Sequence, residues 1–450
     1  MTGKDKLFTT FDKIVRGSKA DETEIVYIGS TNGLTRYANS TIHQNVYESD
    51  AQIIIRTVVG KKVGVAVTNS MVLNDLKATL RNSLEIAKYQ KDNKHFSGLP
   101  GPAEYAELDT HFQQTADYQP KDRARMIKKV FVRGNRRKFT VAGAYATGEG
   151  EIAVYNTKGV RCYQPLTSAS INIIAMSDTS SGYASGLSRN VDEIDPVALA
   201  DVAVEKAFRS KRPKPLKAGD YEVILEPPAV AEMMEWVNYI AFGSKSFEDK
   251  TSFVAHNLEQ KVMDDSITIY DDGNDSSGIA MPFDFEGVPK QKVMLVDRGI
   301  PKGVVYDRTS ANRNGVNSTG HALTAQSQGQ GAFAMNLHMA PGDKTREEMI
   351  AGVERGILVT RFHYINGFID TPKAVLTGMT RDGTFLIENG QIKRGIRNLR
   401  FTDSVLRAFS QVKGISKTRQ LMPAWWDAIG CLAVPTVHLG SFKFTGTTDF

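Results

Sequence analysis

The first part of the chain switches between two hydrophobic rhythms. In "AQIIIRTVVGKKVGVAV", Ala51 to Val67, apolar residues fill two short runs on either side of Gly60-Lys61-Lys62, the pattern of two strands joined by a tight turn. The rhythm then lengthens. Leu73, Leu76, Leu80, Leu84 and Ala87 recur at steps of three and four, which places them on one helix face. Thr68, Asn69 and Ser70 stand before them and offer side-chain oxygens for the first turn. The first two hundred residues therefore read as short strands alternating with amphipathic helices. A hairpin covered by a helix is an α+β pattern, because antiparallel neighbours need only a short turn. Further on, "EIAVYNTKGVRCYQ" and "SASINIIAMS" alternate as strands do, whereas "SDTSSGYASGLS", Ser177 to Ser188, reads as a polar, glycine-bearing loop. "DPVALADVAVEKAF" reads as a helix with Asp195 as its cap and Pro196 at the first helical position; Leu199, Val202, Ala203 and Ala207 are assigned to its apolar side.

The stretch "RSKRPKPLKAG" interrupts these patterns with two prolines and dense positive charge, and a domain boundary is expected there, near Lys214. It divides an α+β domain, 1–214, strand-rich in its second half at about 139–190, from a second domain, 215–450. The second domain opens with "DYEVILEPPAVAEMMEWVNYI", a strand, a turn and a helix. Turn glycines then follow closely: Gly273, Gly287, Gly299, Gly303, Gly315, Gly320, Gly383 and Gly390. The runs between them, such as "KVMLVD", "GVVYD" and "GTFLIENGQI", have strand length. The fold class expected is α+β: an N-terminal antiparallel sheet with covering helices, and a C-terminal domain of mostly antiparallel sheet, curled or barrel-like.

Composition narrows the class. A chain of 450 residues exceeds one ordinary core, and 41% hydrophobic with 24% charged residues describes a globular protein. No apolar run approaches the roughly 20 residues of a membrane helix, and "MTGKDKLFTTFDKIVRG" lacks the apolar centre of a secretion signal. Cys162 and Cys431 are the only cysteines, so no disulfide framework is expected and a reducing cytoplasm fits. The net charge of +6 owes much to two clusters, Lys121–Lys138 and Arg209–Lys217. Neither interleaves aromatic residues, so nucleic acid is not an expected partner; the first reads as the polar face of a helix and the second as a linker.

Candidate chemistry is sparse. The eight histidines, His43, His95, His111, His256, His321, His338, His363 and His438, include no pair spaced to share a helix face. His321, His338 and His363 fall in one domain, and Cys431 precedes His438; either set could meet in space, but residues of these kinds among strands are more often ordinary core or surface residues. "TIYDDGNDSSG" fails the calcium-loop spacing and reads as a strand end and turn. "GHALTAQSQGQG" lacks phosphate-loop spacing, and its glycines and amides suggest a mobile loop over a groove. "VAEMMEWVNYIAFGSKSF", Val230 to Phe247, reads as a buried helix carrying one carboxylate before a Gly-Ser turn, with no histidine near it.

Several segments, in one order, together resemble the TldD/TldE (PmbA) family. They are "LTRYANSTIHQNVYESDAQIIIRTVVGKKVGVAVTN", "FGSKSFEDKTSF", "DDGNDSSGIAMPFDFEGVPKQKVMLVDRGIPKGVVYDRTSANRNG", "GILVT", "FLIENGQIKRGIRNL" and "VPTVHLGSFKFTG", spread over residues 24–446. The resemblance implies the following. TldD is a zinc metalloprotease with an H-E-x-x-x-H helix and a cysteine ligand near the C-terminus. TldE is its metal-free partner, and the pair encloses a chamber in which unfolded peptides are cut. An older label for the family is modulator of DNA gyrase.

Counting back from the "SF" that ends at Phe253 lays the zinc motif over "MEWVNY", so Met234, Glu235 and Tyr239 stand at the first histidine, the glutamate and the second histidine. The cysteine position falls in "RQLMPAWWD", which has none, and Cys431 lies too close to the last strand. A thioether binds zinc poorly and a phenol is protonated near neutral pH. The implied reading is a non-catalytic TldE/PmbA-type subunit, a metallopeptidase relative without its own zinc site, cofactor or catalytic residue. Zinc would reside in a TldD-type partner, and Glu235 would be left as a polar group near the groove. The expected partners are a TldD-like subunit, or a second copy in a homodimer, and unfolded peptide, with no membrane. Two other readings stay open: a metal-dependent peptidase with a non-standard site built from His321, His338, His363 or Cys431, and a homodimeric peptide-binding module with no protease partner.

Overall fold

The computed structural model describes residues 1–424 and 430–448. Helix α1 (Lys4–Val15) leads into strands β1 (Glu22–Ala38), β2 (Thr41–Val59) and β3 (Lys62–Thr68). Helices α2 (Leu73–Tyr89), α3 (Gln113–Ala116) and α4 (Pro120–Arg136) follow. Strands β4 (Thr140–Asn156), β5 (Arg161–Ser177) and β6 (Ser180–Ser188) come next, then α5 (Pro196–Arg209). The six strands form one antiparallel sheet in the order β3-β2-β1-β4-β5-β6. Most of the basic cluster from Lys121 lies on the outer face of α4, but Arg123 turns inward, buried, and donates to the Thr35 and Thr147 hydroxyls.

The strands are longer than the sequence patterning implies: β1, β4 and β5 each run 17 residues and β2 runs 19. Mid-strand stretches such as Ser30–Gly33 and Thr147–Gly150 carry turn-type residues, yet they pair with each other in unbroken register. Ladder hydrogen bonds, not residue type, hold them extended. The expected loop after Ser177 is also a strand, β6, joined to β5 by a turn at Ser177–Ser180. Its small residues let α5 approach: a Cβ on Gly182 would run into the Ala203 carbonyl and the Ala207 amide. Asp195 does cap α5, accepting from the Val197 and Ala198 amides. The buried face of α5 is Ala200, Ala203, Val204 and Ala207, with Val202 turned outward, a rotation from the expected side. Before α2, Ser70 accepts from the Val72 amide and bonds Asp75, so it shapes the lead-in turn and does not cap the helix.

The C-terminal half contains β7 (Gly219–Leu225), α6 (Pro227–Val237), β8 (Ile269–Asp271), β9 (Val293–Asp297), β10 (Ile300–Pro301) and β11 (Asn336–Met339). Then come β12 (Arg355–Asp370), β13 (Val375–Glu388), β14 (Gln391–Gly395), β15 (Leu399–Ser404), β16 (Val412–Pro423) and β17 (Cys431–Thr447). Strands β17, β15, β13, β12 and β7 are hydrogen-bonded in that order, and β7 pairs back onto β17, closing a five-stranded barrel. The barrel expectation holds. "GVVYD" is not a strand, and only an isolated bridge from Val305 to Gly243 joins it to a neighbour. Gly383 lies inside β13 at φ 121°, whereas Gly390 makes the β13–β14 turn at φ 71°. The loop from Gly320 carries a short helical turn, Ala325–Gln330, which borders a cavity of about 440 Å³. No described helix is long and apolar enough to cross a membrane.

The sheet meets the barrel half through several contacts, and two of them involve its buried face. One is apolar: Val26, Ile54, Ile152 and Val154 pack against Met281, Phe283, Phe285 and Met335. The other is ionic. Arg56 on β2, almost fully buried, reaches Glu24 on β1 at 2.6 Å and Glu286 at 3.0 Å. A charge so buried is stable only when paired.

Candidate functional site

Helix α6 is buried nearly all round, as an apolar helix must be when it sits inside a core. Pro227 starts it, free of any need for an amide donor there, and it packs between β12 and β17. It then loosens into a π-helical turn, Asn238–Phe242, whose extra residue changes which side chains face inward. Met234 is fully buried among the apolar residues of the barrel core. Glu235 is 1% exposed, so of a hydrogen-bonded or a solvated carboxylate it is not the solvated one. It lines a narrow space of about 10 Å³, the size of one water, with Asn238, Met335, Cys431 and Leu432. Tyr239, 38% exposed, stacks edge-on with Trp236 and Phe368 at 6.2 and 5.8 Å between centroids.

The expected third-ligand stretch begins on β16 with Arg419–Pro423; its Trp425, Trp426 and Asp427 lie outside the described residues. Cys431 opens β17, where its sulfur accepts from the Ile279 amide, and burial pushes its thiol up to about 11. Burial likewise pushes Cys162 up to about 12, so neither is a ready thiolate.

His321 and His338 both lie beside β8, but they engage different residues of it, Asp271 and Tyr270. The His321 Nε2 lies 2.8 Å from Asp271 and its Nδ1 lies 2.9 Å from the Thr319 hydroxyl. Nδ1 also lies 2.9 Å from the Thr319 carbonyl, and burial holds His321 below its ordinary value against the pull of Asp271. Burial opposes ionisation of Asp271 too, but His321, Lys290 and the Asn336 amide hold its carboxyl down at about 2. His338 stacks on Tyr270 and accepts from Arg419 at 3.1 Å. His363 sits apart on β12 beside Tyr364, and His438 turns to Glu222 at 2.7 Å, so neither joins Cys431 or the other pair. Among the described residues no group of three or more His, Cys, Asp or Glu side chains could hold a metal ion.

One residue escaped the sequence reading. Glu232 precedes Glu235 on α6, half-buried, and burial pushes its carboxyl up to about 8 against the pull of Arg361. Arg361 lies 4.6 Å over the Tyr183 ring on β6, so this carboxyl faces the seam between the two sheets. Its signal was present: a second glutamate in an otherwise apolar helix.

The comparisons agree along the chain. Residues 218–446, just over half of it, match the PmbA/TldA metallopeptidase C-terminal domain. The chain belongs to the PmbA/TldD metallopeptidase family. Residues 113–211 match the central domain of that family and 23–87 its first domain. TldE from Thermococcus kodakarensis shares the fold with a TM-score of 0.88 at 22% identity, over 97% of this chain and 100% of that one. A Thermotoga maritima protein labelled a modulator of DNA gyrase does so with a TM-score of 0.86 at 19% identity, over 98% and 100%. Likenesses this distant speak for the fold alone. A Buchnera aphidicola metalloprotease TldD homolog is 25% identical over 83% of this PmbA/TldD-family chain and 80% of its own length. A Methanothermobacter thermautotrophicus metalloprotease is 22% identical, and this chain spans only 47% of its length.

Proposed function

We propose that this chain is a non-catalytic, TldE-type subunit of a TldD–TldE-like metallopeptidase, which shapes a chamber and holds unfolded peptide for a zinc-bearing partner. One observation carries the reading: Met234, at the first ligand position, is sunk in the barrel core. Zinc in a catalytic site takes imidazole, carboxylate or thiolate donors and keeps one position open for water. A core thioether and a phenol in an aromatic stack do not fit that ion, so no step through a metal is assigned here. Glu235 then has no acidified water from which to take a proton.

Two features support a peptide-holding role. The outer edge of β2 from Thr41 to Gln52 has no strand partner among the described residues, since β3 pairs only from Ile53 onward. Such an edge can add an extended strand through backbone hydrogen bonds, with little regard to side chains. In addition, Ala144, Ala146 and Gly148 on β4 and Ser168 and Ser170 on β5 form a half-buried floor of small side chains. That floor continues the sheet face which, at Ile152 and Val154, meets the barrel half.

The test is to purify this chain alone and together with a TldD-type subunit, measure zinc, and assay an unstructured peptide with and without chelator. The expected result is no stoichiometric zinc and no cleavage by the isolated chain, with chelator-sensitive cleavage by the pair. Chelator-sensitive cleavage by this chain alone would overturn the reading.

A further inference from the structure

A cleft of about 680 Å³ opens where the tip of the β5–β6 hairpin, the segment after α5 and one end of the barrel meet. It lies beyond Asp382, at the seam and away from the altered zinc motif. Arg212, Arg381 and Arg397 line it from separate elements. Among the described residues, Arg212 and Arg397 have no carboxylate within ion-pair distance, and both are exposed. Arg381 comes no nearer than 4.0 Å to Asp382, whose charge is already held by Arg361. Among the described residues, Asp178 is the only other acid in the lining. The cleft is therefore electropositive.

Arg212 sits at φ 53° and Asp382 at φ 52°, left-handed positions that side chains other than glycine seldom take, on opposing walls. The segment carrying Arg212 is strapped to the barrel by the Lys214 amide on the Gly395 carbonyl and the Arg397 amide on the Lys214 carbonyl. Hydroxyls of Ser181 and Thr384 add neutral donors, and Ile174 and Ile396 add apolar surface.

We infer that this cleft binds an acidic peptide segment, with its carboxylates held by Arg212, Arg381 and Arg397. Guanidinium forks match carboxylates in a bidentate geometry, and pockets of this size favour seams between folded units. A phosphate dianion fits less well, because Asp178 and Asp382 share the walls and repel the second charge. The site stands on its own residues, whether or not the chain has a protease partner.

The test uses the full chain and a labelled, glutamate-rich, unstructured peptide, followed by fluorescence anisotropy, with the glutamine counterpart as control. The glutamate peptide should bind roughly tenfold more tightly than the glutamine one. The double variant Arg212→Ala/Arg397→Ala should erase that difference while its melting temperature stays unchanged, because both side chains are exposed. Arg397→Glu should turn the preference toward a lysine-rich peptide. Equal affinity for the glutamate and glutamine peptides, or an undiminished preference in the double variant, would overturn the proposal. So would displacement of the peptide by inorganic phosphate at matched concentration, which would assign the cleft to phosphate.

Discussion

Position 234 holds a thioether in the middle of the apolar helix α6. Met234 packs in the barrel core with no solvent contact. Met234→Ala should therefore cost about 2–5 kcal/mol, seen as a lower denaturant midpoint with an unchanged slope; an unchanged midpoint would show that the site is not packed. Glu232 makes a second prediction at this scale. Burial pushes its carboxyl up to about 8, so the neutral Glu232→Gln should keep the melting temperature closer to that of the parent at pH 7 than the charged Glu232→Asp does. The residue types at 234, 235 and 239 are plain in the sequence. The direction of Tyr239 is not, because the π-helical turn after Val237 breaks the helical period on which such an inference depends.

Among the elements, β6 and α5 show what pattern reading can and cannot reach. The start of α5 was legible because a capping aspartate followed by proline has a local physical cause. Asp195→Ala should cost about 0.5–2 kcal/mol by thermal or chemical melting. β6 was not legible. Its serines and glycines carry no alternating signal, and their extended form is imposed by β5 on one side and by the close approach of α5. Gly182→Val should force strand and helix apart at a cost of about 1–3 kcal/mol, and a variant as stable as the parent would refute that close packing. The same holds for the long strands β1 and β4, whose polar middles look like turns until a partner is laid beside them.

For the whole molecule, the joint between sheet and barrel half carries the charge. Burial pushes Glu24 up to about 7 from its ordinary 4.5, although Arg56 lies against it. A carboxyl raised in this way adds stability fully present below pH 4.5 and lost as pH rises through about 7. Relative to Glu24→Gln, the parent chain should thus lose up to about 3 kcal/mol across that window, measured by urea melts at stepped pH. An identical pH dependence in the two proteins would contradict it. None of this was foreseeable from the string, since Glu24, Arg56 and Glu286 are distant in sequence and meet only through topology. Closure of the barrel has its own consequence. The first stave, β7, must be sealed by β17, so a ribosome releases over two hundred residues before that seam can form. Until then, in the nascent chain, the apolar α6 has no finished wall to lie against, and a chaperone would meet exposed apolar surface there.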